Sequence, residues 1–356
     1  MLGDNITLHD AEDSTSTYNA ASKKLTLPNG LQLTYGQINY LAGDFYGTKD
    51  PICMGATAAD RTKRFVAAFD TLGTKISAKA EAEQLVKDVQ SEVDAVNQAL
   101  NQKQDVSTIY DKLADQTFQF IKDTWNRPNG EGYAGLALNN FDHFGNDARV
   151  AYNTGHAVAL QTAASGKLVL AYAQNAFADH FLEDSFSAGH LRVPRRFLHG
   201  AGNLDPGNKC AQYMHNEDSA IGLSVSNPAG DTWICYGDKR LLDKDDIFNK
   251  VRCKAAVQAS ADEVYQAFIN RKMPEKVGKA WEHAPTVESA CDISRQELSP
   301  LFTPDGQLRN NIIDRKDKGH HAVPKVLGFP IPLTIWFTDI AADCALSGLW
   351  NAPIKM

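Results

Sequence analysis

The 356-residue sequence predicts a mostly α-helical fold, and three observations carry that expectation. Val86, Val89, Val93, Val96 and Leu100 recur at steps of three and four between residues 76 and 101, the spacing of a single helix face. A second stripe of this kind runs through Ile109, Leu113, Phe118 and Ile121 to Trp125. Residues 148–185 are rich in alanine, which favours helix, and the only break falls near Ser165–Gly166, which predicts two helices.

The elements then follow in order. Residues 24–56 are mixed, with turn signals at Pro28–Asn29–Gly30 and in "AGDFYG" at 42–47, and predict loops or short strands. After the helices at 76–101, 109–125 and 148–185, "ASADEVYQAF" at 259–268 predicts another. Residues 197–209 and 224–240 are rich in Gly, Asn, Asp and Pro and predict loops, the latter with some short-strand character. Residues 273–325 carry five prolines spread along them and predict irregular chain. The expected division is a helical body over 1–272 and a C-terminal extension over 273–356 packed on it. There is no internal repeat and no low-complexity tract.

Composition limits the function classes. The chain is 43% hydrophobic and 22% charged, the balance of a soluble globular protein. No apolar run approaches the roughly 18–20 residues that cross a bilayer. The nearest, "VLGFPIPLTIWF" at 326–337, is interrupted by Pro330 and Pro332 and reads as core-packing chain, with a membrane-touching loop as its alternative. A net charge of −7 argues against a large sequence-independent nucleic-acid surface. Six cysteines without C-x-x-C spacing argue against a thiolate zinc site, while their even number permits disulfides. The start, "MLGDNITLHDAEDSTS", lacks the basic and apolar stretches of a secretory signal. A mature form, export by another route, or residence in the cytoplasm all accord with it. Phosphate-binding loops, nucleophile elbows and dinucleotide fingerprints are absent.

One stretch resists the core-helix reading. In "FADHFLEDSFSAGH" at 177–190, apolar residues share a few turns with Asp179, His180, Glu183, Asp184 and His190. Burying unpaired ionisable groups is costly, and a bound cation would compensate them. His180 and Asp184, four apart, project from one helix face. His156 in "NTGHAVAL" lies upstream and Asp142 fourteen residues before it; His215 and Asp218 lie downstream, three apart. Imidazoles and carboxylates are ligands zinc takes where thiolates are absent. Each residue also has a plainer role: a hydrogen-bonded core histidine, a helix cap for Asp142, a surface pair for His215 and Asp218. Four histidines near acids within 142–218 favour the metal.

The spacing of His180, Asp184 and His190 in "HFLEDSFSAGH" resembles the central motif of the zinc-dependent phospholipases C and of the related fungal single-strand-specific zinc nucleases. The wider pattern, roughly 130–222 with "LTYGQINYLAGDFYG", is more similar to the bacterial and fungal phospholipase C branch. The resemblance implies a multi-helix bundle of that type, with the helices at 57–126 as an addition. It also implies two or three zinc ions. His156, His180 and Asp184 would hold one, with Asp142, preferred because its fourteen-residue lead over His156 fits the family, or its rival Asp44. His190, His215 and Asp218, or Glu217 in its place, would hold the neighbour, and Asp184 would bridge towards a third. The family's third ion uses an N-terminal tryptophan and a nearby histidine; the first tryptophan here is Trp125, and His9, the one early histidine, would take the second role or be a solvated tail residue.

The implied activity is hydrolysis of a phosphatidylcholine-like phosphodiester to diacylglycerol and a phosphorylated head group. Whichever of Asp142 and Asp44 is not a ligand would act as general base. Phe45 and Tyr46 would contribute to a head-group cage or simply pack at their turn. Arg192, at the head of the basic run with Arg195 and Arg196, would meet a substrate phosphate or line a solvated loop. His320 and His321 read as exposed loop residues. The expected partners are phospholipid and, transiently, a membrane surface, with no nucleic acid and no obligate protein. A secreted or translocated effector accords with this. The alternatives are a zinc nuclease or nucleotidase, and a non-catalytic helical metal-binding protein.

Overall fold

The structure, a computed structural model, describes residues 2–13, 15–104, 106, 132–199 and 206–322, with short pieces at 325–326, 329–330, 340 and 342–344. The stripe from Ile109 to Trp125, residues 200–205 and most of 326–337 lie outside the described residues. The fold is mostly α. Its helices are α1 (Tyr35–Leu41), α2 (Ala58–Gly73), α3 (Ala78–Asn101), α4 (Gly132–Leu138), α5 (Gly145–Ala164), α6 (Leu168–Asp184), α7 (Ala188–Leu191), α8 (Arg195–Leu198), α9 (Pro206–Ile221), α10 (Ile247–Asn270) and α11 (Val287–Cys291). The described strands form two-stranded antiparallel sheets, such as β1 (Thr7–His9) with β2 (Thr17–Asn19) and β3 (Leu25–Thr26) with β4 (Gln32–Leu33). Further along, β5 (Leu223–Ser226) pairs with β6 (Thr232–Cys235), and β7 (Leu308–Arg309) with β8 (His320–His321).

The chain divides into two compact units that interleave along the sequence rather than parting at residue 272. The first comprises Met1–His143, Asp147–Glu183 and Lys250–Ala284, and the second Phe144–Asn146, Asp184–Asn249 and Pro285–Met356.

Local chemistry accounts for the helix starts. The Thr34 hydroxyl accepts from the Gln37 N–H at 3.2 Å while the Gln37 side chain accepts from the Thr34 N–H at 3.0 Å, a reciprocal cap that begins α1. Thr57 and Asp60 do the same for α2. In the first unit α6 is buried on nearly all sides, with Phe177 meeting the rings of Phe65 and Phe69 edge-on at 5.9 and 5.8 Å. The expected pair of helices over 148–185 is present as α5 and α6, and the break falls between Ala164 and Leu168. The stripe at 76–101 is α3, which buries Leu85, Val89 and Val96. Part of the expected loop at 197–209 is instead the start of α9, and 224–240 contains the β5–β6 hairpin.

None of the six cysteines is joined in a disulfide, although their number permits one. Among the described residues no helix is long and apolar enough to cross a membrane.

Candidate metal centres

In the first unit, the turn after α1 brings three donors together. The chain reverses over Ala42–Tyr46, where the Gly43 N–H donates to the Tyr46 carbonyl at 3.0 Å and the Tyr46 N–H to the Leu41 carbonyl at 3.0 Å. Gly43 takes φ +71° there. A Cβ at this position would stand 2.6 Å from Cδ2 and Nε2 of His180 and 2.8 Å from Cε1 of His143. Only glycine lets the backbone carrying Asp44 approach both imidazoles. Asp44, His143 and His180 can each offer a ligand atom within 4.8 Å of the others.

The two rings are fixed in complementary ways. The Nδ1 of His180 lies 3.1 Å from the Asn39 carbonyl, an oxygen that can only accept, so this nitrogen carries a proton. In the neutral ring Nε2 then keeps its lone pair, directed at Nδ1 of His143 3.2 Å away. A backbone carbonyl on the far nitrogen is how a metal-binding histidine is commonly oriented. His143 ends the tight turn Phe141–His143, and its ring stands edge-on to His180 and Phe181 at 4.9 and 5.5 Å. Two imidazoles and a carboxylate in a cradle that a methyl group would fill suit a zinc-like cation.

His143 was missed by the sequence reading, although it stands beside Asp142 in "FDHF". A histidine between two phenylalanines next to an acid was the available signal. Asp142, preferred there as the upstream ligand, is occupied otherwise. Its carboxylate accepts from the Ile52 N–H at 2.6 Å and the Cys53 N–H at 2.8 Å, which ties the turn carrying His143 to the loop before α2. Burial pushes its pKa up and these N–H groups oppose the shift, with a net rise. The geometry groups its rival, Asp44, with the histidines. A small cavity of about 30 Å³ opens beside His143 and Asp142, lined also by Asn139, Asn140, Asp50 and Phe181.

The second unit holds another grouping. His190 on α7 pairs through Nδ1 with Asp184 Oδ1 at 3.1 Å and stacks on Phe144 at 4.7 Å with rings 19° apart. The ring of His215 on α9 is 5.0 Å from that of His190. A Cβ on Gly189 would lie 2.7 Å from His215, so glycine also permits this approach of α7 to α9.

Several expected site residues lie elsewhere. His156 is 1% exposed, and both ring nitrogens have protein partners: Nδ1 with Asn175 Oδ1 at 2.6 Å and Nε2 with Glu263 Oε2 at 2.9 Å. It belongs to a buried polar network in which the Tyr35 and Ser260 hydroxyls donate to Asp179 at 2.6 and 2.7 Å. The Asn175 amide donates to both hydroxyls. Asp179 is therefore compensated by hydroxyls, though burial still pushes its pKa up to about 7. Burial likewise raises Glu263, but the hydrogen bond and charge of His156, with the Gly278 and Lys279 N–H groups, outweigh it and hold this acid below its usual value.

Asp218 is occupied by Arg192 in a two-pronged pair at 2.8 and 2.6 Å, both residues buried, so neither is presented to a metal or a substrate phosphate. Glu217, its alternative, is held by Arg309 and Arg315. His9 stacks on Tyr265 at 3.7 Å and 3°. Phe45 packs against Tyr40 and Tyr133, and the Tyr46 hydroxyl donates to Ala78 O or Glu81, both rings being buried. They therefore pack at their turn. His320 bonds the Pro300 carbonyl, and His321 the Asn310 amide.

Compared with protein-family models, curated proteins and solved structures, the chain matches none.

Proposed function

We propose that this chain is a zinc-dependent phosphodiester hydrolase of the phospholipase C type, acting on phosphatidylcholine-like lipids. The observation that carries the reading is the grouping of Asp44, His143 and His180 around the turn at Gly43. Zinc bound there would polarise a phosphoryl oxygen and lower the pKa of a water. The chain's own residues supply the rest. The Asn39 carbonyl holds the His180 ring so that its Nε2 lone pair stays turned inward. Asp142 anchors the turn that presents His143, because both of its oxygens accept backbone N–H groups. Asp44 brings negative charge to the cradle. Asp184 and His190, paired at 3.1 Å, with the His215 ring 5.0 Å from that of His190, are further groups of the same donor chemistry.

The motif "HFLEDSFSAGH" supports this family of activities. The surroundings favour lipid over nucleic acid. The basic run after His190 is no track for a polyanion, since Arg192 and Arg195 are 2% and 7% exposed, and the chain is net acidic. Transient contact with a membrane and a secreted or translocated location accord with that substrate.

Protein prepared without chelators is expected to carry two or three zinc ions per chain and to hydrolyse a soluble short-chain phosphatidylcholine, with little cleavage of single-stranded DNA or RNA. Elemental analysis giving none or one ion on folded protein would end the multinuclear reading. Faster turnover of nucleic acid than of any phospholipid would assign the chain to the nuclease branch.

A further inference from the structure

The start of α10 departs from the rest of that helix. Farther along, α10 packs Ala256, Val257, Ser260, Ala261 and Val264 out of solvent. Over its first turns, however, it presents Ile247, Phe248 and Val251 at 47%, 65% and 59% exposure. These residues are spaced one, three and four apart, so they share one side of the helix. Asn249 and Cys253, on the other side, are fully buried and fix the helix there. The Asn249 amide donates to the Phe186 carbonyl at 2.8 Å and its oxygen accepts from the Trp233 indole at 3.0 Å. The apolar side is thus held outward by a buried anchor.

The charge around these side chains has a sign opposite to that of the chain as a whole. From 244 to 254 there are four basic residues (Lys244, Lys250, Arg252, Lys254) against two acids, in a protein of net charge −7. Of the acids, Asp246 is buried and accepts hydrogen bonds from Asn249 and the Tyr236 N–H, which leaves Asp245 as the exposed negative charge. Lys244 and Lys254 are exposed, and Lys250 and Arg252 are half-buried beside the apolar residues. An aromatic and two aliphatic side chains within a ring of lysines and arginine are complementary to an anionic bilayer surface. The apolar groups enter the boundary between head groups and acyl chains while the cations meet lipid phosphates.

We propose that the start of α10 is a docking surface for anionic phospholipid membranes, with Phe248 and Val251 as its inserting residues and Lys250 and Lys254 as its charge contacts. None of these side chains is among the proposed metal donors, and binding is read without turnover, so its failure and that of the hydrolytic reading are distinguishable.

The test is co-sedimentation of the full chain with vesicles of phosphatidylcholine containing phosphatidylglycerol, with and without a chelator. Wild-type protein is expected to bind, and to bind less as salt rises. The double variant Phe248→Glu/Val251→Glu is expected to lose about tenfold or more in partitioning, and Lys250→Glu/Lys254→Glu a comparable amount. Hydrolysis of a soluble monomeric substrate should be unchanged in both. Ile76→Glu, at a more exposed apolar residue in the turn between α2 and α3, is the control and should bind as wild type. No wild-type binding would overturn the proposal, as would equal binding by the α10 variants. A self-associating wild type that the same variants render monomeric would assign the surface to a second copy of the chain and overturn it too.

Discussion

Replacing Gly43 by alanine is expected to disable the first metal centre while leaving the protein folded. The residue adopts φ +71°, where a side chain costs about 1–2 kcal/mol. The larger effect is steric. The new methyl would sit 2.6 Å from the His180 ring and 2.8 Å from the His143 ring, whereas ordinary contact begins at 3.4 Å. One ring must therefore retreat by about 0.8 Å and the other by about 0.6 Å, or the Asp44 turn must lift away, against a tolerance of about 0.2 Å in metal–ligand distances. Misplacement approaching 1 Å costs on the order of a hundredfold in rate. Gly30→Ala supplies the reference, because Gly30 has φ +80° with nothing within 4 Å of the added carbon. Both variants should lose similar stability from the backbone, and Gly43→Ala should lose more only to the extent that the rings resist. Zinc content by elemental analysis, hydrolysis of short-chain phosphatidylcholine and urea unfolding measure the three quantities. Wild-type zinc content and rate in Gly43→Ala would refute the assignment of this turn to the metal.

His156→Ala should take the imidazole partner from buried Glu263, leaving it to the Gly278 and Lys279 N–H groups alone, and cost about 1–3 kcal/mol without lowering zinc content. His180→Ala and His190→Ala should each lower zinc content and abolish hydrolysis; the opposite pattern, read by chemical unfolding and elemental analysis, would restore His156 as a ligand. Asp246 gives a pH signature of known sign. Burial, opposed by hydrogen bonds from Asn249 and the Tyr236 N–H, raises its folded pKa from 3.8 to about 7. The folded state then binds the proton more tightly than the unfolded chain, so this residue's contribution declines as pH rises from about 4 to about 7 and is constant above. Unfolding of wild type and Asp246→Asn across that range should show a stability difference that changes within the window and levels off beyond it; a difference independent of pH would refute the shift.

The helices at 76–101 and 148–185 were legible because each carries its own apolar periodicity and its own break, and a helix forms from contacts within a few residues. The segment from His180 to His190 stood out for the same reason: its pattern of histidines and acids is local. The start of α9 falls in a stretch that predicts loop, since Gly, Asn and Pro dominate there and packing overrides those propensities, whereas the β5–β6 hairpin accords with the short-strand character of 224–240.

The remaining choices were made by tertiary structure. Local sequence does not show that His143, beside Asp142, is brought to other donors while His156 is held in the core. Burial against Asn175 and Glu263 gives His156 a structural role, while the turn at Gly43 brings His143 to Asp44 and His180. Asp142 was preferred over Asp44 on spacing, but the backbone N–H groups of Ile52 and Cys53, about ninety residues away in sequence, claim it. Arg192 likewise found Asp218 across 26 residues and left the role of free phosphate contact. The sequence by itself determined that imidazole and carboxylate donors are concentrated around 142–218, though not that His143 is one of those brought together. Which of these donors are engaged elsewhere was decided by long-range partners, because a buried charge is satisfied by whatever the fold places against it, and spacing along the chain carries no record of that.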